Sequence, residues 1–432
     1  MKRYRILLQC SGVFIGLLAI LWLFMILSAS VPNSFLQKNM TKSALTIINA
    51  DAFAYCDGNK LNGIADNYAD SIWLNVAWYM GKENPLLSSI DTRYYDGEKQ
   101  QEKTGLYLAV TNEQQEANTD YTRYWHGTAG VIRMFHLFTD LNGIRNIGFM
   151  TVLCLAATIM ILLIRDGKDW IAVIFFISVC LIKIWNVRLS MEYQPAFIIG
   201  FGMCILYLLF EKKGDECLIL LSVTGGTLIA FFDFLTTETI VLLLPLILVV
   251  TVRGIEQRSG TFENSMSAVI WQGIGWLGAY AATMLTKWCL ASLLTGTNKF
   301  SNALNSVGER IGGNIPGTGE LNFFMKKFAA PIANLSALFG GSQRVTGISV
   351  VAGLVFLGMF AVISWVALKK GNKENKTATK ILIILGCVIM VRYLVLNNHS
   401  YIHAFFTCRG MISMIMSLFF ILFLNKNCLK FR

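Results

Sequence analysis

The chain has 432 residues, of which 55% are hydrophobic and 15% are charged, and its formal net charge is +11. Soluble globular proteins are about 25% charged, so this composition excludes an ordinary soluble domain and favours a membrane protein. The sequence has no nucleic-acid-binding motif, so its basic excess does not indicate binding to DNA or RNA.

The first predicted element is a membrane anchor within residues 1–29. An apolar run over 6–28 follows a basic start and is long enough to cross a bilayer, which takes about 20 helical residues. It has no small-x-small cleavage site, so we expect an uncleaved span rather than a signal peptide.

Residues 30–145 form the first predicted external segment. Asp66 and Asp70 are four residues apart and would share one face of an amphipathic helix lying at the membrane interface. Either could act as a base or a metal ligand, although Asp66 could instead simply cap the helix. Asp51 lies nearer the first span and is a third candidate.

A second feature of this segment is an aromatic cluster with two cationic or titratable groups. Arg123, Tyr124, Trp125 and His126 are consecutive. Aromatic rings can stack on sugars, and arginine binds phosphate in a bidentate way. The alternative is an aromatic anchor at the interface. A second interfacial helix is predicted over about 128–140.

Residues 146–292 contain six predicted spans, over about 146–164, 168–187, 195–211, 217–234, 236–252 and 267–292. Ionisable residues lie in the external turns between them: Arg188, Glu192, Asp233 and Glu238. A carboxylate close to hydrocarbon is costly, so each of these acids should have a partner or a function.

Residues 293–346 form a second external segment with an amphipathic stretch over 321–328, and residues 347–432 hold three more spans and a basic tail. The last span is preceded by His399 and His403 and contains Arg409. We expect Arg409 to meet Asp233, Glu238 or an anionic ligand. The histidine pair lacks the glutamate of an HExxH site, so we predict no metal site at this pair.

The alternation of Lys/Arg-rich and Lys/Arg-poor loops predicts the topology. It places both termini and the basic loops in the cytoplasm. The sequence therefore predicts an all-α, multi-pass protein of about ten spans in a bacterial cytoplasmic membrane.

This layout resembles the GT-C superfamily of integral membrane glycosyltransferases. It shares a short-tailed first span, a long external loop that begins with an acidic interfacial helix and ends with another helix, many further spans, and a later external loop. The resemblance implies transfer of a sugar from a polyprenyl-phosphate donor to a cell-surface glycan or lipid, with no nucleotide-binding fold.

The resemblance also implies site roles. A base would come from Asp66, Asp70 or Asp51, and phosphate ligands from Arg123, Arg188 or Arg409. The remaining candidates would bind the donor or acceptor sugar: Tyr124, Trp125, His126, Glu192, Asp233, Glu238, His399 and His403. A requirement for Mg²⁺ or Mn²⁺ and the oligomeric state stay open.

Two other functions fit the same sequence. A transporter or a flippase for lipid-linked glycans would need ionisable groups at mid-membrane depth, and a non-catalytic partner in cell-envelope polymer assembly would use the external segments for docking. A cavity shared by the acids, Arg409 and His399 would favour the enzyme.

Overall fold

The computed structural model describes residues 2–96, 101–111, 116–313, 323–345 and 347–426. Most of this part of the chain is helical, with nineteen α-helices and four short strands. The helices are α1 (Lys2–Ala29), α2 (Asn33–Ile48), α3 (Asn67–Met80), α4 (Pro85–Ser88), α5 (Glu102–Thr111), α6 (Gly127–His136), α7 (Leu141–Arg165), α8 (Asp169–Leu181), α9 (Gln194–Phe210), α10 (Asp215–Phe232), α11 (Ile240–Ile255), α12 (Phe262–Thr295), α13 (Phe300–Gly312), α14 (Phe323–Leu338), α15 (Ile348–Lys370), α16 (Lys376–Val395), α17 (Asn397–Ile402), α18 (Ala404–Thr407) and α19 (Ile412–Leu424).

Eight helical segments within the described residues are long and apolar enough to cross a membrane. They are Tyr4–Ala29, Leu141–Arg165, Met191–Lys213, Asp215–Phe232, Phe262–Thr295, Ile348–Lys370, Lys376–Val395 and Ala404–Leu424. The other two predicted spans correspond to the shorter apolar helices α8 and α11, of 13 and 16 residues. The chain is therefore a multi-pass helical membrane protein, while the count of ten spans stays a prediction.

Helix α11 lies at the centre of the bundle. Its sequence is almost wholly Ile, Val and Leu, and nearly all of its residues are buried. It packs against α9, α10, α16 and α19. A helix that is apolar on every side is suited to such a position. Because neighbouring helices surround α11, little of its surface can face lipid.

The described residues of the first predicted external segment form a layer at one end of the bundle. It contains two antiparallel strand pairs, β1 (Phe53–Tyr55) with β2 (Ile64–Asp66) and β3 (Arg93–Tyr94) with β4 (Thr119–Asp120). The predicted helix after Asp66 is present as α3. However, it is buried on every side instead of presenting a polar face at the interface. Its polar side chains face protein: Arg145 of α7 bonds Asp70 and Asn67, and Asn75 donates to the carbonyl oxygen of Glu102 in α5.

Helix α6, the second predicted interfacial helix, turns its polar residues inward. Arg133 is buried and donates to the carbonyl oxygens of Ser28 and Ala77 at 3.0 and 2.6 Å. His136 is also buried, and its Nε2 lies 2.9 Å from the hydroxyl of Ser43. Burial lowers the pKa of His136 to about 4, so its imidazole is neutral at physiological pH. Its contact with Ser43 indicates a structural role.

The basic loops meet at the opposite end of the bundle. Lys168 pairs with Glu256 at 2.6 Å, and Arg258 pairs with Glu211 at 2.8 Å. These ion pairs link the loops after α7, α9 and α11. The structure therefore separates a Lys/Arg-rich end from the end that carries α3, α6 and α13.

Candidate functional site

A polar cavity of about 250 Å³ lies where the first external segment meets the bundle. Its walls come from parts of the chain that are distant in sequence: the start of α3, the loop before α6, the turn before α9, the turn after α10, α13 and α17. Its lining residues are Asp66, Tyr68, Ala69, Ile72, Tyr94, Thr119, Asp120, Tyr121, Arg123, Tyr124, Glu192, Phe234, Arg310, His399 and His403.

Two carboxyl groups form one wall of the polar cavity. Asp66 ends β2 and caps α3, because its Oδ1 accepts a hydrogen bond of 2.8 Å from the amide of Ala69. The capping interpretation of Asp66 is thus correct, yet the same side chain lines the cavity. Glu192 is buried beside it, and its Oε2 has no hydrogen-bond partner among the described residues. The wall therefore offers a carboxyl oxygen that a bound hydroxyl could contact.

The surroundings of Asp66 favour its protonated form. Burial is the main cause and the nearby Asp70 carboxylate adds to it, so that the pKa of Asp66 rises to about 7 despite the Ala69 hydrogen bond. A carboxyl group with a pKa near neutrality can accept and return a proton at physiological pH.

Two guanidinium groups supply positive charge to the polar cavity. Arg123 lies 4.1 Å from the ring centre of Tyr121 and 5.6 Å from that of Tyr124, and its Nε is buried without a partner. Arg310 enters from α13. Within the residues that the structure describes, neither arginine forms an ion pair with a carboxylate. An anionic ligand would supply the missing partner.

The imidazoles of His399 and His403 form a third wall, with ring centres 4.6 Å apart. His399 Nε2 lies 2.8 Å from the carbonyl oxygen of Leu235 and must donate to it, which leaves Nδ1 as an unpartnered acceptor. Burial lowers the pKa of both histidines, and the charge of Arg310 contributes; the pKa of His403 falls to about 3. Both rings are therefore neutral acceptors or donors rather than cations.

Aromatic rings line the same space. Tyr121 meets Tyr94 and Phe234 edge to face, at 5.6 and 5.7 Å between ring centres. Behind them, Phe234 stacks on Trp73 at 3.7 Å. Such surfaces suit the apolar faces of sugar rings.

Several predicted site residues do not line the polar cavity and instead bond neighbouring protein groups. Asp70 is buried, pairs with Arg145 at 2.6 Å, and accepts hydrogen bonds from the Ser190 hydroxyl and the Met191 amide at 2.7 and 2.9 Å. These bonds fix the turn that carries Glu192. Asp70 therefore positions the second acid and does not itself line the polar cavity.

In the aromatic cluster, Arg123 and Tyr124 line the polar cavity, whereas Trp125 and His126 do not. Trp125 donates to the carbonyl oxygen of Thr283 at 2.7 Å and packs on Phe231. His126 adopts a left-handed backbone conformation (φ 62°), and its Nε2 lies 2.7 Å from the carbonyl oxygen of Tyr121. Both residues hold the loop that presents Arg123 and Tyr124, and neither lines the cavity.

The buried charges of the bundle find partners within the protein. Glu238 forms a bidentate pair with Arg392 at 2.8 and 2.9 Å. Asp233 accepts hydrogen bonds from the backbone and the hydroxyl of Thr236. The predicted contact of Arg409 with one of these two acids is therefore absent: Glu238 pairs with Arg392, and Arg409 bonds carbonyl oxygens.

Arg409 instead binds two carbonyl oxygens and an aromatic ring. It donates to Asn62 at 2.8 Å and to Phe405 at 3.3 Å, and it lies over the ring of Tyr193 at 4.9 Å. It therefore does not line the polar cavity with His399. The remaining candidates, Asp51 and Arg188, are exposed and lie outside the cavity.

Sequence reasoning does not single out Arg310, which lies within the second predicted external segment. One signal was available: Phe300, Leu304, Val307 and Ile311 recur at helical spacing and predict an amphipathic helix whose flank carries Arg310. That this flank faces Arg123 depends on long-range packing.

The described residues contain no group of three or more His, Cys, Asp or Glu side chains that could hold a metal ion.

Comparison of the chain with protein-family models, with curated proteins and with solved structures finds no match.

Proposed function

We propose that this protein is a membrane glycosyltransferase of the GT-C type, which moves a sugar from a polyprenyl-phosphate donor to a hydroxyl of a cell-surface glycan or lipid. The observation that carries the proposal is the polar cavity. There, two buried carboxyl groups, two arginines without carboxylate partners and several aromatic rings share one hollow. The proposed location is a bacterial cytoplasmic membrane. Both termini would lie in the cytoplasm, and the cavity would open on the outer face.

The proposed reaction is a single displacement. The acceptor hydroxyl oxygen attacks the anomeric carbon of the donor sugar, the bond from that carbon to the phosphate oxygen breaks, and polyprenyl phosphate departs with the electron pair. The ionised Asp66 carboxylate takes the hydroxyl proton. A general base of this kind accelerates a reaction by about 10²–10⁴-fold.

The arginines have a separate task in this scheme. As the bond to the phosphate breaks, negative charge grows on the leaving phosphate, and a guanidinium beside it lowers the energy of that transition state. Arg123 and Arg310 are the cavity's candidates for this role. The imidazoles of His399 and His403, neutral in the protein, are suited to hydrogen bonds with sugar hydroxyls.

The experiment is a transfer assay in membranes that contain the full chain, with a panel of radiolabelled polyprenyl-phosphate sugars. Asp66→Asn and Arg123→Gln test the base and the phosphate ligand. Asp51→Asn and Arg188→Gln are matched controls, because they make the same chemical changes at exposed positions outside the cavity.

We expect transfer by the wild type and both controls, with a loss of about 10²-fold or more in the two cavity variants. Equal transfer by all four variants would contradict the assigned site. Movement of the lipid-linked sugar across the bilayer without transfer would favour a flippase instead.

A further inference from the structure

Helix α13 (Phe300–Gly312) has two different faces, one directed at the polar cavity and one that stays exposed within the part of the chain that the structure describes. Its apolar stripe consists of Phe300, Leu304, Val307 and Ile311, which lie on one face of the helix. Leu304, Val307 and Ile311 are 58%, 42% and 40% exposed. Three large aliphatic side chains left exposed on one stripe indicate a surface that another apolar phase covers.

The other contacts of α13 fix its orientation. The ring of Phe300 meets Trp288 of α12 edge to face at 5.9 Å, Ala303 is buried, and the helix packs against α17. Arg310 lies on the same flank as Ala303 and lines the polar cavity. A rotation or lift of α13 would therefore move the Arg310 guanidinium away from Arg123 and the two imidazoles.

The surroundings of the stripe identify its occupant. Leu293 and Leu294, in the last turn of the membrane-spanning helix α12, are 79% and 43% exposed and precede α13 by a few residues. The stripe thus continues the apolar surface that α12 presents to lipid. Exposed polar residues, Ser301, Asn302 and Asn305, occupy the opposite face, which is the pattern of a helix lying in a membrane interface.

We propose that the apolar stripe of α13 inserts among the lipid acyl chains of the bilayer leaflet on the cavity side. This lipid contact holds Arg310 at the polar cavity. The docking surface and its partner, the lipid acyl chains, do not depend on glycosyl transfer. Only the role of Arg310 in binding a donor phosphate rests on the proposed function.

The first test is photo-crosslinking of the full chain in lipid nanodiscs of phosphatidylglycerol and phosphatidylethanolamine. A benzophenone amino acid is placed singly at positions 304, 307 and 311 and, as matched controls, at 301, 302 and 305. We expect severalfold more lipid adduct at the stripe positions. Equal lipid adduct on both faces, or adducts from the stripe to a second copy of the chain, would overturn the proposal.

The second test measures the link to Arg310. Trypsin cleavage after Arg310 is followed in the same nanodiscs for the wild type, for a stripe variant (Leu304→Gln, Val307→Gln, Ile311→Gln) and for a polar-face variant (Ser301→Ala, Asn302→Gln, Asn305→Gln). We expect severalfold faster cleavage in the stripe variant alone, because a helix released from lipid opens more often. Equal cleavage rates in all three proteins would overturn the proposal, whatever the transfer assay shows.

Discussion

Asp66 combines two roles that the sequence presents as alternatives. One of its oxygens caps α3, and the side chain also borders the polar cavity beside Glu192. The cap holds the carboxyl group in place, while burial and the charge of Asp70 raise its pKa to about 7. A fixed carboxyl group that ionises near neutral pH is suited to act as a base.

The pH dependence of transfer should report on Asp66. The base is the ionised form, so activity should rise with pH and reach half its maximum on the acidic side near the Asp66 pKa of about 7. In Asp66→Asn the remaining activity should lack this acidic limb. Burial also raises the pKa of Asp233 to about 7, but Asp233 lies outside the cavity, so Asp233→Asn should retain the limb. An unchanged limb in Asp66→Asn would show that another group is the base.

Asp70→Asn should reduce both stability and activity. Removal of the Asp70 charge leaves Arg145 without its partner and loosens the turn that carries Glu192. Breaking a buried ion pair costs about 3–5 kcal/mol, so the free energy of unfolding should fall by an amount in this range. It can be followed by thermal unfolding in detergent.

The control for Asp70→Asn is Asp57→Asn, which breaks a more exposed ion pair with Lys183. Exposed pairs contribute about 0–1 kcal/mol, so this variant should stay close to the wild type. Equal destabilisation by both variants would contradict the positioning role of Asp70.

At the scale of elements, the periodicity of the sequence predicts helices better than their surroundings. The helix after Asp66 and the helix near 128–140 are both present, but α3 is buried on all sides and α6 turns its arginine inward. The sequence could not reveal this, because Arg133 is satisfied by carbonyl oxygens of residues far away in the chain, such as Ser28. Likewise, Glu238 and Arg392 pair across 154 residues.

Packing between α10 and α12 offers a direct test of one helix contact. A Cβ atom added at Gly226 of α10 would lie 2.2 Å from the carbonyl oxygen of Trp276 in α12, so the backbones would have to separate. Overpacking of this kind costs about 1–3 kcal/mol. We therefore expect Gly226→Ala to lower the thermal unfolding temperature.

Gly278→Ala is the matched control, since a Cβ at this exposed position of α12 meets nothing within 4 Å. Relief of the glycine penalty in a helix is worth about 0.5–1 kcal/mol, so this variant should be neutral or slightly stabilised. A neutral Gly226→Ala would contradict the close approach of the two helices.

At the scale of the whole molecule, the charges are divided between two ends. Ion pairs such as Lys168–Glu256 join the basic loops at one end, and the polar cavity lies at the other. Hydropathy and loop charge predict the multi-pass helical fold and this separation. They do not predict that α8 and α11 are short, because an apolar run reads alike in a lipid-facing span and in a core helix.

The candidate site was predictable only in part. The sequence alone could select six of the cavity residues, because they are polar or aromatic groups at helix ends that the loop charges predict on one membrane face. They are Asp66, Arg123, Tyr124, Glu192, His399 and His403. Asp70 and Arg409 have the same appearance but are occupied by protein partners. Arg310 escaped selection because only the packing of α13 on α17 brings it to the cavity. Contacts between segments that are distant in sequence determine which of these residues line the cavity, and such contacts cannot be read from a single sequence.

The most direct measurement of the central claim is a cryo-electron microscopy structure of the full chain in nanodiscs with polyprenyl phosphate added. The account predicts phosphate density in the polar cavity, at hydrogen-bond distance (about 3 Å) from the guanidinium groups of Arg123 and Arg310, with Asp66 and Glu192 on the facing wall. An empty cavity, with the lipid phosphate bound among the basic loops or elsewhere, would contradict it.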